Sequence, residues 1–221
     1  MIELQGLAKS YHLSGRDIVA LAPVDLSIAD GEFVSIVGHS GSGKSTLLSL
    51  IGGISRPDAG RVRVDGTDIG GCGDAALSRL RNQRFGFIYQ FASLIPTLTA
   101  LENVQLPTVF GRNHAEQGAR RLLEQVGLGG DADRYPSELS GGEQQRVAIA
   151  RAFVNQPGIV LADEPTGDLD EETEASVMRF FEQINRERGV TILMVTHSAE
   201  LAVRAGRRLR MKHGVLEELP A

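Results

Sequence analysis

Gly38-His39-Ser40-Gly41-Ser42-Gly43-Lys44-Ser45 spells G-x-x-x-x-G-K-[ST]. Upstream, Glu32-Phe33-Val34-Ser35-Ile36-Val37 is a short apolar run that stops at Gly38 and predicts a strand. Downstream, Thr46-Leu47-Leu48-Ser49-Leu50 predicts the opening of a helix. A strand, a glycine-rich turn and a helix start, in that order, make a cradle for a polyphosphate. The glycines let successive backbone N–H groups turn inward, and the helix N-terminus adds unpaired donors and partial positive charge. Lys44 can reach the β- and γ-phosphates, and the Ser45 hydroxyl can ligate Mg²⁺.

Further along, Ile159-Val160-Leu161-Ala162 is an apolar strand that ends in Asp163-Glu164. Ligands bind at the carboxyl ends of parallel strands. Asp163 can hold the Mg²⁺ shell, directly or through water, and Glu164 can polarise an attacking water as general base. Asp170 then reads as the cap of a helix with Glu171 and Glu172 in its first turn. Val177, Phe181 and Ile184 lie on one face of that helix, and Gly189 is its stop. Val190-Thr191-Ile192-Leu193-Met194-Val195 predicts another strand buried on both faces.

A second glycine-rich helix start stands at Leu139-Ser140-Gly141-Gly142-Glu143-Gln144-Gln145-Arg146. Its hydroxyl and bare donors suit an anion, and they equally suit an ordinary N-cap. If one nucleotide needs both helix starts and they cannot meet within one fold, two chains must share it. A helix is predicted near 114–126, with Ala115, Ala119, Leu122 and Val126 on one stripe and Gly127 as its stop. Arg61-Val62-Arg63-Val64 reads as a half-exposed strand with a turn at Asp65-Gly66. Early strands, central helices and a return to strand–helix–strand predict an α/β core interrupted by a helical insertion at about 91–155.

Composition narrows the classes. The chain has 221 residues, 42% hydrophobic and 23% charged, which fits a globular protein of one or two domains. A net charge of −5 argues against a nucleic-acid partner held by bulk charge. No apolar stretch approaches the ~18 residues of a membrane span. The N-terminal Met1-Ile2-Glu3-Leu4-Gln5 lacks a signal-peptide pattern, and Cys72 stands alone. These features lead to the expectation of a cytoplasmic protein.

The motifs together resemble the ATP-binding cassette (ABC) family of nucleotide-binding subunits over nearly the whole chain. Leu139-Ser140-Gly141-Gly142-Glu143, the family signature, carries the resemblance furthest. The resemblance implies one cassette over 1–221, an α/β phosphate-loop core (about 1–90 and 156–221) with an antiparallel β subdomain, and an α-helical subdomain at about 91–155. It implies ATP and Mg²⁺ as ligands, with Gly38, Ser40, Gly41, Ser42, Gly43, Lys44, Ser45 and Thr46 around the phosphates and Tyr11 stacked on adenine. Gln90, in Phe87-Ile88-Tyr89-Gln90, would sense Mg²⁺ and the attacking water, and His197, after Val195-Thr196, would contact the γ-phosphate. Ser140, Gly141 and Gly142 would face the ATP of a second copy in a head-to-tail homodimer.

Leu94 to Val104, Tyr135-Pro136-Ser137-Glu138 and Ala162 to Asp170 are similar to a bacterial group that serves macrolide-export, lipoprotein-release and cell-division permeases. The implied function is ATP hydrolysis that energises a separate integral membrane permease, the chain being peripheral on the cytoplasmic face. The alternative is a non-transport cassette that signals mechanically to a membrane complex. Three features depart from the group. His39 replaces a proline or small residue, Ser198 replaces aspartate after His197, and Ala205-Gly206-Arg207-Arg208 lacks an aspartate. Arg207, Arg208, Arg210 and Lys212 read as a solvated strand face.

Overall fold

The computed structural model describes residues 1–13, 15–111 and 116–220. The chain opens with two long strands, β1 (Ile2–Leu13) and β2 (Arg16–Ile28), followed by β3 (Phe33–Val37) and helix α1 (Lys44–Ile51). Next come β4 (Ala59–Val64), β5 (Thr67–Asp68), α2 (Asp74–Arg84) and β6 (Phe85–Ile88). Between β6 and β7 the described chain carries helices only: α3 (Ala100–Gly111), α4 (Glu116–Gln125), α5 (Gly141–Phe153) and two single 3-10 turns. It ends with β7 (Ile159–Asp163), α6 (Glu171–Arg188), β8 (Thr191–Thr196), α7 (Ala199–Ala202), β9 (Arg207–Lys212) and β10 (Val215–Glu218).

Two sheets result. The first is antiparallel, in the order β2-β1-β4-β5, and the Asp65-Gly66 turn joins β4 to β5 with both residues at positive φ. The second runs β10-β9-β3-β8-β7-β6, parallel throughout except for β10. Its central strands are continuous apolar runs because both faces are covered. Val160, Ala162, Ile192 and Met194 join one core with α3–α6, whereas Ile159, Leu161, Leu193 and Val195 join a second core with α1 and the antiparallel sheet. That alternation is the two-residue period of a strand, expressed between two apolar layers.

Local signals set the helix ends. The Asp170 side chain accepts the Thr173 N–H, and Gly189 closes α6 at φ 63°, with Val177, Phe181 and Ile184 buried between them. The stripe foreseen near 114–126 appears in α4 and the turn after it, where Ala119, Leu122 and Val126 are buried and Gly127 sits at φ 76°. Residues 114 and 115 of that expectation, Ala115 included, lie outside the described residues. α2 and α3 carried no clear sequence signal, since α2 buries no residue and α3 holds Pro107 within it. Among the described residues no helix is long and apolar enough to cross a membrane.

Candidate nucleotide-binding site

The 38–45 loop leaves the end of β3 with almost no clearance. A Cβ on Gly38 would lie 2.3 Å from the Met211 carbonyl oxygen, and one on Gly43, at φ 108°, 2.1 Å from that of Ala20. Only glycine fits at either point, so β9 and β2 press the loop into shape. The Ser42 N–H donates to the His39 carbonyl at 3.2 Å, and the Ser42 carbonyl accepts from Gly214 N–H at 2.9 Å. Lys44 is buried, and its Nζ donates to the carbonyls of Gly38 at 2.7 Å and His39 at 3.1 Å. α1 begins at Gly43 with no side-chain cap and no acid in its first turn, so the N–H groups of Lys44, Ser45 and Thr46 point out of the helix start unpaired. The Ser42 hydroxyl is buried without a partner. An orphaned hydroxyl beside an uncapped helix start fits an anion.

Asp163 ends β7 next to Val195 of β8. Burial pushes its carboxyl above the usual carboxylate range; the facing Ser45 hydroxyl and Lys44 oppose the rise, while Glu164 adds to it. Glu164 follows in a left-handed conformation at φ 46°, a strain that a non-glycine residue bears only when its surroundings fix it. Its N–H donates to the Val195 carbonyl at 3.0 Å. Glu164 Oε2 accepts from the His197 backbone N–H at 3.2 Å and lies 3.0 Å from His197 Nδ1. Glu164 Oε1 is 4.0 Å from Lys44 Nζ. The structure thus brings together Lys44 and Ser45 from the start of α1 with Asp163, Glu164 and His197 from the ends of β7 and β8.

The other predicted residues stand apart. Gln90 is exposed just beyond β6. Tyr11, on β1, is 38% exposed, with Lys9 Nζ 5.4 Å from its ring centroid. Ser140 caps α5, its Oγ accepting from Glu143 N–H while Glu143 Oε2 accepts from Ser140 N–H. Those bonds hold the Glu143 carboxyl below its ordinary range. Gly141 is exposed and Gly142 half-buried. Among the described residues no hydrogen bond or ion pair joins Tyr11, Gln90 or 140–142 to the Lys44–Glu164 cluster.

The departures find local uses. His39 is exposed, and Ser198 caps α7 by accepting from Leu201 N–H at 3.3 Å. Arg207 pairs with Glu218 through two bonds and lies near Glu32, while Arg210 and Lys212 are exposed. Sequence reasoning passed over Gln145 and Arg151. Arg151 donates to the Ala92 and Ser93 carbonyls, holding the loop after β6. The one available signal was a long polar side chain inside the apolar stripe of a helix.

Comparison with known proteins gives a consistent relationship. The profile described as "ABC transporter" matches residues 21–167. The chain is 48% identical over 222 residues to the lipoprotein-releasing system ATP-binding protein LolD of Xanthomonas oryzae pv. oryzae, covering 99% of this chain and 91% of that one. It is 46% identical over 223 residues to the macrolide export ATP-binding/permease protein MacB of Rhodopirellula baltica, covering 99% of this chain. It spans only 33% of that MacB protein's length. Its fold is similar to the dimeric structure of a post-hydrolysis state of the ATP-binding cassette MJ0796 bound to ADP and Pi, with TM-score 0.94 and 41% identity over 100% of both chains. With a phosphate cradle, a strand-end acid pair and a signature helix on one α/β fold, the chain belongs to the ABC transporter family, as one of its ATP-binding cassettes.

Proposed function

We propose that this cassette, spanning 1–221 with a helical subdomain at about 91–155, binds ATP on the 38–46 loop, hydrolyses it, and thereby energises a separate integral membrane permease. The observation that carries the reading is the meeting of Lys44, Asp163, Glu164 and His197 at the ends of adjacent parallel strands beside an uncapped helix start. In this reading the backbone N–H groups and the hydroxyls of Ser40, Ser42 and Ser45 surround the phosphates. Lys44 exchanges its carbonyl partners for β- and γ-phosphate oxygens, and Tyr11 stacks on adenine. Glu164 takes a proton from the attacking water while His197 reaches the γ-phosphate. The new O–P bond forms as the bond to the β,γ-bridging oxygen breaks, and ADP leaves with that oxygen. Most of the rate comes from fixed charges and positioning.

Ser45, Asp163 and Gln90 would hold Mg²⁺, an all-oxygen set that suits a hard cation. Among the described residues no cluster of three or more His, Cys, Asp or Glu forms a metal site of its own, so phosphate oxygens and water would complete the shell. Bound Mg²⁺ supplies positive charge against the phosphate oxygens.

Two copies would pack head to tail, with 140–142 of one facing the loop of the other. The exposure of that helix start, its lack of any bond to the cluster, and the dimeric MJ0796 structures support this arrangement. A permease segment would sit in the groove of about 930 Å³ between α2, β6, α3 and α5. Phe110, 78% exposed, and Tyr89 line it, together with Arg81 and Arg151, which have no carboxylate partner among the described residues. The cassette would then be peripheral on the cytoplasmic face, within a transporter of the lipoprotein-release or macrolide-export kind. As a test, the purified chain should release phosphate from MgATP, and Lys44→Ala should lose both ATP binding and release. Equal release by Lys44→Ala would remove the 38–46 loop from the reading.

A further inference from the structure

Helix α5 sends one buried polar side chain into the space between two loops. Gln145 is 4% exposed, and its Nε2 donates to the Tyr89 carbonyl at 2.9 Å and the Pro165 carbonyl at 3.2 Å. Both neighbours are carbonyl oxygens, which only accept, so the NH₂ end of the amide must face them. A buried amide is tolerated when bonded, and here both N–H groups are used.

The two carbonyls have informative places in the chain. Tyr89 immediately precedes Gln90, and Pro165 immediately follows Glu164. Gln145 itself lies five residues after Ser140, on the helix that begins at 140–142. One amide therefore joins the loop after β6, the loop after β7 and the signature helix. Two other α5 side chains grip loops, but Arg151 reaches only Ala92 and Ser93, and Gln144 only Pro136 and Leu139 in the turn before its own helix. Residues beside each joined carbonyl are held as well. The Tyr89 ring stacks on Phe87 at 6.1 Å and 7°, and Glu164 N–H bonds to Val195. β6 and β7 pair as far as Ile88 and Ala162, and Gln145 carries the link beyond the strand ends, to Tyr89 and Pro165.

We propose that Gln145 is a positioning residue for ATP hydrolysis, fixing the spacing of Gln90 and Glu164 and coupling both to the 140–142 helix start. The inference rests on the ATPase reading above, in which Gln145 itself touches no phosphate. The Tyr89 carbonyl belongs to the peptide that leads into Gln90, and the Pro165 carbonyl lies one residue beyond Glu164 across a proline of fixed φ, so each pin restricts the neighbouring side chain. When 140–142 of α5 meets the nucleotide of a second copy, Gln90 and Glu164 move as one unit. Small errors in that spacing matter, because a misplacement of about 1 Å can cost on the order of a hundredfold in rate.

The test compares the parent with Gln145→Met, which keeps the length and removes both donors, and Gln145→Asn, which keeps an amide one methylene short. ATP affinity, KM, kcat and the thermal midpoint are measured for each, well below the midpoint. The expected result is a kcat for Gln145→Met reduced at least about tenfold, ATP affinity and KM within about threefold of the parent, and an intermediate kcat for Gln145→Asn. Parental kcat in both folded variants overturns the proposal, as does a loss of kcat that only follows a loss of ATP affinity. If Gln145→Met does not fold, the kcat of Gln145→Asn at parental affinity decides in the same way. A parent that binds ATP but never releases phosphate overturns the ATPase reading and this inference together, whereas an active parent with an equally active Gln145→Met overturns this inference alone.

Discussion

Asp163 sits where burial disfavours its charge, and Glu164 beside it adds repulsion that Ser45 and Lys44 oppose. Its folded pKa is raised above 3.8, the ordinary value, so the folded protein holds this proton more tightly than the unfolded chain does. Stability from this group is therefore lost as pH rises from the unfolded value through the raised folded one. In metal-free, nucleotide-free buffer, Asp163→Asn should raise the thermal midpoint at pH 7 and do so less at pH 4. Calorimetry showing the same change at both pH values would contradict the assignment. At this scale the sequence was legible where chemistry is local, as in Gly38 to Ser45 and the Asp163-Glu164 pair. It was silent about the His197–Glu164 contact, which bridges 33 positions and exists because β7 and β8 lie side by side. Gln145 was equally silent, since its partners belong to two other loops.

Helix starts carry the site, and each starts for a different reason. α1 begins without a cap, leaving its donors free, whereas α5 begins with a Ser140–Glu143 capping box. Ser140→Ala should therefore cost about 1 kcal/mol of stability through the lost cap. Ser140→Thr should keep that stability, and thermal melts of the two variants distinguish them. Gly43→Ala meets a harder limit, because its Cβ would press on the Ala20 carbonyl at 2.1 Å. That variant should lose ATP binding in a direct titration, and parental affinity would show that the loop can relax. Elements with period and cap signals in the sequence, such as α6 and β7, emerged within a residue or two of expectation. α2 and α3 did not, because neither carries a clean apolar stripe, and the bulged pairing of β1 with β2 depends on partners that composition does not reveal.

At the level of the whole molecule, no hydrogen bond or ion pair joins residues 140–142 themselves to the Lys44–Glu164 cluster among the described residues, and in the proposed head-to-tail arrangement a second copy completes the site. MgATP should drive Glu164→Gln from monomer to dimer in sedimentation, while Lys44→Ala stays monomeric. A monomeric Glu164→Gln with saturating MgATP would contradict the head-to-tail arrangement. In the proposed assembly with a permease, Phe110→Ser should weaken retention by that partner and leave basal phosphate release unchanged, because Phe110 lies outside the Lys44–Glu164 cluster. The strand order that gathers the cluster, with β3 beside β8 and β8 beside β7, could not be read from the chain, since non-consecutive neighbours follow from packing two cores at once. The central claim is that ATP is held by one set of groups and cleaved by another, centred on Glu164. The measurement that reaches it most directly is ATP binding and steady-state phosphate release on the same preparation of Glu164→Gln. The account predicts parental ATP affinity with at least about a hundredfold loss of turnover, the scale expected when a general base is removed. Near-parental turnover at parental affinity would contradict it.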